Sequence, residues 1–456
     1  MNSVQPGADG TLIASGIMRF PGEFSDQRLV RLLPNGSRDP SFNNSGLGGG
    51  KIIPWEDKLY VDAGLIRRIL LPSGNLDQSF RVGYSTIPYF LIQQGGDYHV
   101  FPDGRVLLTG QYLLSDTVRG YEGQYNLVWI TNTGYLDTTR THRQANGPLW
   151  EFSEMPDGRF ICTCSCSQYD GQPVDKLFRI EADGALDTSF HTDVNYGNIY
   201  TYSPLADGRV LVGGNFKRAA APDEVLQLVR LLPDGSLDPT FDNHHQFGIG
   251  ELSGIPKPSG IIPWGTDKYF IAGHYQEVDG EPRGGLSVVD STGQLLPYFE
   301  NCTPGPFTYY GQTAASFVGI APTADSTAFY IWGNYVGYND GTVNDTLQRF
   351  VSRVYLSDIH TGVPETPPEA HGSHFSIQPN PAHGLVTFNF ETMDMGSKGG
   401  TIKVREVTGK VVAILPMHGP IGQQVWDTRS VSPGTYLVEF RDGKQVLHTE
   451  KLIVQQ

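Results

Sequence analysis

Residues 205–241 read LADGRVLVGGNFKRAAAPDEVLQLVRLLPDGSLDPTF, and this stretch decides the fold. An Asp-Gly turn at Asp207 leads into an alternating apolar strand that starts at Arg209. A second alternating strand starts at Leu228 and ends in another Asp-Gly turn before the closing Phe241. Asp-Gly between alternating strands is a strong hairpin signal, because the turn needs a positive φ that glycine adopts easily. The stretch therefore predicts a unit of short antiparallel strands.

The same unit recurs along the chain. Residues 8–42 and 155–190 carry it clearly, and degenerate copies complete a set of seven. The copies close on anchors at Phe42, Phe80, Arg140 (in place of a phenylalanine), Phe190, Phe241 and Phe299, and the seventh copy lacks its anchor. Successive anchors lie roughly 50 residues apart, which is typical of β-propeller blades. The repeats predict a propeller of about seven blades over residues 1–358.

The composition favours an all-β protein. The 456 residues include 55 glycines and 31 prolines, and 11% are aromatic. These residue types are typical of short strands and tight turns. The net charge of −15 disfavours nucleic acid and anionic membranes as partners. No apolar run reaches the roughly 18–20 residues of a membrane span. The chain also starts without a signal peptide, which we interpret as truncation.

The repeat resembles a known bacterial β-propeller repeat, the delta-60 repeat. The shared pattern is Asp-Gly, a basic residue and an apolar strand, followed by an apolar-x-Arg-Leu strand, Asp-Gly-Ser-Leu-Asp and Phe. The resemblance covers about residues 8–358 and is strong in the first, fourth and fifth units. It implies a propeller fold and no particular activity.

The two ends of the array look incomplete. Only Val4-Gln-Pro-Gly-Ala precedes the first Asp-Gly turn, where the middle units have an apolar strand. An open blade edge exposes unpaired backbone groups. We therefore expect either that the termini complete one blade between them or that residues are missing upstream.

The repeat pattern ends at residue 358. Residues 359–373 contain three prolines and two glycines and predict an extended linker. Beyond the linker, seven short alternating segments with glycines at the turns predict a small Ig-like β-sandwich over residues 374–456.

This last segment resembles the type A sorting domain of type IX secretion. The resemblance rests on FSIQPNPAHG at 375–384, VREVTGKVV at 404–412, SPGTYLV at 432–438 and EKLIV at 450–454, although Glu406 stands where the family usually has Asp. It implies export across an outer membrane and interaction with the type IX machinery, with the signal carried by Pro379, Asn380, Pro381, Gly384, Gly409, Lys410, Gly434, Tyr436 and Lys451. The protein is then secreted or attached to the outer cell surface.

Two sets of residues invite a chemical interpretation. Asp77, Asp187 and Asp238 recur at one place in the repeat, and a catalytic group is not needed in every blade, so we interpret them as turn residues. Cys162 and its neighbours at 164 and 166 alternate on one strand face. Three thiols can bind a soft metal, but zinc ligands usually come from two turns, so we interpret these residues as small core residues. No catalytic, metal-binding or cofactor-binding residue is predicted.

Three aromatic segments are candidate binding loops. Residues 196–202, 307–310 and 335–339 combine tyrosines with glycine or asparagine. Tyrosine presents an apolar ring and a hydroxyl group, which suit sugar or protein recognition, although it also packs between blades.

The sequence thus favours a monomeric, non-catalytic surface propeller that binds a glycan or a protein. The alternative is a surface polysaccharide hydrolase or lyase. Two carboxylates converging in the central channel favour the enzyme, whereas a shallow Tyr-rich face without perturbed acids favours binding.

Overall fold

The protein is described by a computed structural model. It covers residues 1–456 apart from residues 21, 44–45, 81–89, 251, 301, 310–311, 324–327, 340–343, 356–373, 392–399, 407–409, 418, 420, 443–444 and 456. The described residues form strands and turns without an α-helix, so no helical segment among them has the length and hydropathy to cross a membrane. The chain divides into two compact units, Met1–Gly362 and Val363–Gln456. The predicted linker, residues 359–373, lies entirely outside the described residues.

The described part of the first unit contains seven main antiparallel sheets, one for each sequence repeat, which we number as blades one to seven. Blades one to three are β1 (Ser3–Pro6), β2 (Leu12–Met18), β3 (Gln27–Leu32); β4 (Ile52–Trp55), β5 (Lys58–Asp62), β6 (Ile66–Leu70); and β7 (Phe90–Val100), β8 (Val106–Asp116), β9 (Tyr121–Ile130). Blade four is β10 (Leu149–Glu154), β11 (Phe160–Cys164) and β14 (Leu177–Ile180), with the small hairpin β12 (Gln168–Tyr169) and β13 (Gln172–Pro173). Blade five is β15 (Val194–Pro204), β16 (Val210–Arg218) and β17 (Ala221–Leu231).

Blades six and seven carry additional short strands. Blade six is β19 (Lys257–Trp264), β20 (Lys268–His274) and β23 (Leu286–Asp290), accompanied by the sheet of β18 (Phe247–Gly248), β21 (Glu277–Val278) and β22 (Glu281–Pro282). Blade seven is β24 (Thr303–Pro304), β27 (Ser316–Pro322), β28 (Ala328–Asn339) and β29 (Asn344–Tyr355), next to the hairpin β25 (Phe307–Tyr309) and β26 (Gln312–Ala314). The predicted seven-bladed, all-β architecture is confirmed.

Each of the first six blades ends in a reduced fourth strand. In blade five, β16 is the central strand, and Leu231 at the end of β17 forms a single bridge with Leu237 after the turn. The same bridge follows the third strand of blades one to four and six. The Leu-Asp-x-Ser/Thr-Phe segment of the repeat therefore forms the reduced fourth strand at the outer edge of the blade.

The ring closes through packing between blades seven and one. Tyr330 and Trp332 of β28 share a buried cluster with Val4, Leu12 and Met18 of blade one. Val4 lies in β1, which pairs with β2 and with no other described strand, so the short N-terminal segment is itself the first strand of blade one. The expectation that the termini share a blade is therefore wrong, because side-chain packing joins the two blades. The expectation of missing upstream residues stays a prediction.

An arginine, which is buried in three of the four cases, ties each of four blades to the next one. In blade five, Arg230 Nε lies 2.7 Å from Asp238 Oδ2, and both side chains are 2% exposed. The other oxygen of Asp238 accepts hydrogen bonds from the amide and hydroxyl of Thr240 at 2.9 and 2.6 Å. The guanidinium lies 4.8 Å from the ring centre of Phe241 and donates to the carbonyl of Ser291 in blade six. We call this arrangement the arginine latch.

The latch is present in the three strong repeats and also in blade two. The equivalent pairs are Arg31–Asp39, Arg68–Asp77 and Arg179–Asp187, and their arginines donate to the carbonyls of Pro72, Asn132 and Pro233 in the following blades. Burial alone would raise the pKa of Asp187, but hydrogen bonds from Ser189 and Arg179 prevail and lower it to about 2. These contacts give the repeated aspartates a structural role.

Blades three and six, which are two of the weaker repeats, each change two latch positions together. In blade three, Trp129 stands at the arginine position and Arg140 at the phenylalanine position, with the guanidinium 5.2 Å from the indole ring. The cation and the aromatic ring have exchanged places. In blade six, Val288 and Leu296 stand at the arginine and aspartate positions, and both pack in the apolar cluster between blades six and seven. Neither repeat leaves one buried charge without a partner.

The second unit is a sandwich of two antiparallel sheets. One contains β30 (His374–Gln378), β31 (Leu385–Glu391) and β34 (Ile421–Asp427); the other contains β33 (Val411–Met417), β32 (Gly400–Glu406), β35 (Gly434–Asp442) and β36 (Gln445–Val454). Phe388, Trp426, Val438 and Phe440 pack in the core between them. The seven predicted strands are confirmed.

We predict that breaking one latch destabilises the propeller strongly. Removing one partner of a buried ion pair costs about 3–5 kcal/mol, so Arg230→Ala should lower the free energy of unfolding by about that amount in urea denaturation. Replacing both partners as blade six does, with Arg230→Val and Asp238→Leu, should recover most of the loss. The exposed pair Arg19–Asp26 is the control, and its disruption should cost at most about 1 kcal/mol. A double variant as unstable as the single one would contradict this explanation.

Candidate functional site

The predicted sorting motif closes the open edge of the last strand. The side chain of Asn380 donates from Nδ2 to the carbonyl of Lys451 at 2.6 Å and accepts from the amide of Ile453 at 2.9 Å. The backbone of Ala382 continues this pairing, with its amide 2.8 Å from the carbonyl of Ile453. Exposed strand edges pair readily with other chains. The Pro379–Pro381 segment therefore covers part of the outer edge of β36.

The other predicted sorting residues serve turns and the core. Tyr436 is buried and its hydroxyl donates to the carbonyl of Ser432 at 2.6 Å. Gly384 has a φ of +106°, which favours glycine, and its carbonyl accepts from the amide and hydroxyl of Thr428. The remaining positions are Gly434 at the start of β35, the exposed Lys451 on β36 and the exposed Lys410, whose Nζ lies 3.4 Å from Glu406. Gly409 lies outside the described residues.

A disulfide bond lies at the end of the cysteine-rich strand β11 and joins its last residue to Cys166 just beyond it. Cys164 and Cys166 are joined, whereas Cys162 is a free and buried thiol whose pKa burial raises. All three lie in the cluster between blades three and four. The interpretation of these residues as core residues agrees with their burial, but it missed the disulfide. Among the described residues, no group of three or more His, Cys, Asp or Glu side chains is arranged to hold a metal ion.

Of the three aromatic segments, one faces a cleft. Tyr335 and Tyr338 are buried between blades, and Phe307 packs against Phe350, with ring centres 5.3 Å apart. Tyr310 lies outside the described residues, and Tyr309 directly precedes it at the end of β25. In contrast, Tyr200 of β15 is half-buried and lines an open cleft. The binding-loop interpretation is thus narrowed to residues 196–202.

The cleft lies between blades four and five and has a volume of about 370 Å³. Ligand pockets usually measure about 300–1,000 Å³. Its walls come from β10, β11 and β15, and its lining residues are Trp150, Glu151, Thr163, Cys164, Ser165, Lys176, Gly197, Asn198, Ile199 and Tyr200. Trp150 Nε1 donates to Ser165 Oγ at 2.8 Å, which fixes the indole ring. Two aromatic rings and several polar groups therefore share one concave site.

Charged side chains from three other blades lie around this cleft. Lys51 Nζ contacts both carboxylate oxygens of Asp97, at 2.8 and 3.0 Å. Lys257 Nζ lies 4.2 Å from the ring centre of Tyr200. Glu151 reaches solvent but is enclosed by the inner strands, and this desolvation, helped by the charge of Asp97, raises its pKa to about 7.

Sequence reasoning missed most of this site. Asp97, Glu151, Lys176 and Lys257 come from blades three, four and six and share no motif. Neighbouring first strands, such as β7 with β10 and β15 with β19, bring these residues together. The one residue of the site that the sequence indicates is Tyr200, because it lies in the aromatic segment 196–202.

Comparison with known families identifies both parts of the chain. The family described as a domain of unknown function (DUF5122) beta-propeller matches residues 7–42, 156–190 and 205–241. The family described as a secretion system C-terminal sorting domain matches residues 376–455. Both predicted resemblances are confirmed, and the propeller matches fall on the three strongest repeats.

Comparison with individual proteins adds little. No curated protein matches the chain. Among solved structures, the crystal structure of dimeric latent PorU from Porphyromonas gingivalis matches 80% of this chain and 34% of that one, at 14% identity and a TM-score of 0.16. The chain thus spans about a third of that protein, and a TM-score this low supports no conclusion.

The sorting domain fixes the location of the protein. A type IX C-terminal sorting domain indicates secretion or attachment to the outer cell surface and implies interaction with the type IX machinery. The cleft between blades four and five is therefore part of an exported protein.

We predict that Glu151 makes the propeller less stable as the pH rises through neutrality. Its raised pKa means that the folded state binds a proton that the unfolded state has released above about pH 4.5. The stabilisation from this proton is fully present below about pH 4.5 and is lost as the pH rises through about 7. Glu151→Gln should remove this dependence, so the variant should gain stability relative to the wild type between pH 5 and 8 in urea denaturation. Parallel curves for the two proteins would contradict the assigned pKa.

Proposed function

We propose that the propeller is an extracellular binding module that holds a glycan in the cleft between blades four and five. The observation that carries the proposal is the combination of Trp150 and Tyr200 with polar side chains in one open concave site. Sugars present apolar C–H faces and hydroxyl groups, so an aromatic ring and neighbouring hydrogen-bonding groups suit both.

The geometry of the cleft supports a preformed site. The hydrogen bond to Ser165 holds the Trp150 indole, and the ammonium group of Lys257 packs on the Tyr200 ring. Side chains that are fixed before binding lose less conformational entropy on binding. The side-chain amide of Asn198 supplies donors and an acceptor at the cleft wall, whereas the Thr163 hydroxyl is engaged by the backbone of Glu151. A rigid propeller with this cleft therefore needs no large rearrangement to bind.

The second candidate function is hydrolysis or lyase cleavage of a polysaccharide. The pKa of about 7 favours this candidate, because it equips Glu151 to act as a general acid near neutral pH. Asp97 is the second carboxylate near the cleft, but it forms an ion pair with Lys51 and accepts a hydrogen bond from the amide of Phe152 at 3.4 Å. A carboxylate occupied in this way is a weaker candidate for a nucleophile or base, so binding remains the leading proposal.

We predict that the aromatic side chains of the cleft carry the binding. A glycan array should identify a ligand for the full chain, and Trp150→Ala and Tyr200→Ala should each weaken its binding about tenfold or more, as measured by calorimetry. Tyr196→Ala is the matched control, because Tyr196 lies on the same strand, is 68% exposed and does not line the cleft. Equal losses in all three variants would contradict the site.

We predict that Glu151 distinguishes the two candidate functions. The purified chain should bind polysaccharide without releasing new reducing or unsaturated ends, and Glu151→Gln should retain binding. Turnover that disappears in Glu151→Gln while the ligand still binds would establish the enzyme and refute the non-catalytic proposal.

We predict that residues 374–456 form a transferable export signal. Fused behind a signal peptide and a reporter in a type IX-competent cell, they should place the reporter outside the cell. Asn380→Ala removes both side-chain contacts to β36 and should reduce export, whereas Asn389→Ala removes a single contact to Ser376 and should not. Retention of the unmodified fusion in the periplasm would contradict the prediction.

A further inference from the structure

Two lysines at the cleft lack a carboxylate partner. Lys176 lines the wall formed by blade four, and Lys257 reaches Tyr200 from blade six. Among the described residues, neither forms an ion pair, whereas Lys51 is paired with Asp97 at 2.8 Å. The chain carries a net charge of −15, whereas this cleft has two cations without an ion pair at its edge.

Two carboxylates near the cleft have other hydrogen-bond or ion-pair partners, and none in the described part of the chain forms an ion pair with either lysine. Asp97 is engaged by Lys51, and Asp175, next to Lys176, accepts hydrogen bonds from the amides of Thr192 and Asp193 at 3.3 and 3.1 Å. Glu151 lines the cleft and is the carboxylate that the charge of Lys257 influences; because its pKa is raised to about 7, it is a hydrogen-bond donor rather than an anion below that pH. The cleft therefore presents two ammonium groups and a donor beside its aromatic rings.

We infer that the glycan held in the cleft is a polyanion, a polysaccharide whose sugars carry carboxylate or sulfate groups. This inference rests on the proposed glycan-binding function and names its ligand class. Trp150 and Tyr200 pack against the apolar faces of successive sugars, and Lys176 and Lys257 pair with their anionic groups. A neutral polysaccharide leaves both lysines without a counter-charge, so it binds more weakly.

The test compares charged and neutral polysaccharides on the full chain by calorimetry. Polygalacturonate or dextran sulfate should bind at least about tenfold more tightly than fully methyl-esterified polygalacturonate and unmodified dextran, which lack the charge. The comparison between the two polyanions decides whether carboxylate or sulfate is preferred. It uses the unmodified protein, so it does not depend on the folding of any variant.

Lysine variants locate the effect. Lys176→Met and Lys257→Met should each weaken polyanion binding about tenfold and weaken binding of the neutral polymers much less, because only the polyanion loses a counter-charge. Lys217→Met is the control, because Lys217 lies on β16 of blade five and does not line the cleft. Urea denaturation should show that the variants are folded.

The outcomes separate this inference from the function on which it rests. Equal affinity for charged and neutral polymers, lost in Trp150→Ala, would overturn the polyanion inference and leave glycan binding intact. Binding of polyanions that is unaffected by both lysine substitutions would also overturn the inference. If neither these polymers nor a glycan array shows binding, both the inference and the proposed function are wrong.

Discussion

A buried guanidinium at the end of the third strand is the contact on which the propeller depends. Arg230 illustrates it: one side chain satisfies Asp238, packs on Phe241 and donates to a carbonyl of the next blade. A charge in this position must be fully paired, because an unpaired buried charge is far more costly than an exposed one. This requirement explains why arginine, aspartate and the closing phenylalanine recur together in the repeat. It also explains why blade six replaces the arginine and the aspartate together with apolar residues.

The latch also determines where the chain is free to vary. In the four blades that have the latch, its residues lie on the third strand and at the outer edge. The first strands therefore contain few of the residues that recur in the repeat. The cleft is built from these first strands and from the ends of β11 and β14, where residues such as Trp150 and Lys257 differ between blades. A regular scaffold therefore supports an irregular site, and the export domain forms a separate unit with its own core.

Much of the fold could be predicted from the sequence because its signals are local. Asp-Gly turns and alternating strands lie within single units, and the four sorting motifs lie within one short segment. The site could not be predicted, because Asp97, Glu151 and Lys257 are brought together by ring closure and share no spacing. The exchange of Trp129 and Arg140 was visible only as a lost phenylalanine. The disulfide between Cys164 and Cys166 was missed because alternation on one strand face also suits small core residues.

The first strands of blades four and five form the proposed ligand site. Hydrogen–deuterium exchange of the full chain, with and without polygalacturonate, tests this assignment. Amides of Leu149–Glu154 and Val194–Pro204 should gain protection on binding, while the sorting domain should be unchanged. Protection that appears only in other blades or in the sorting domain would contradict it.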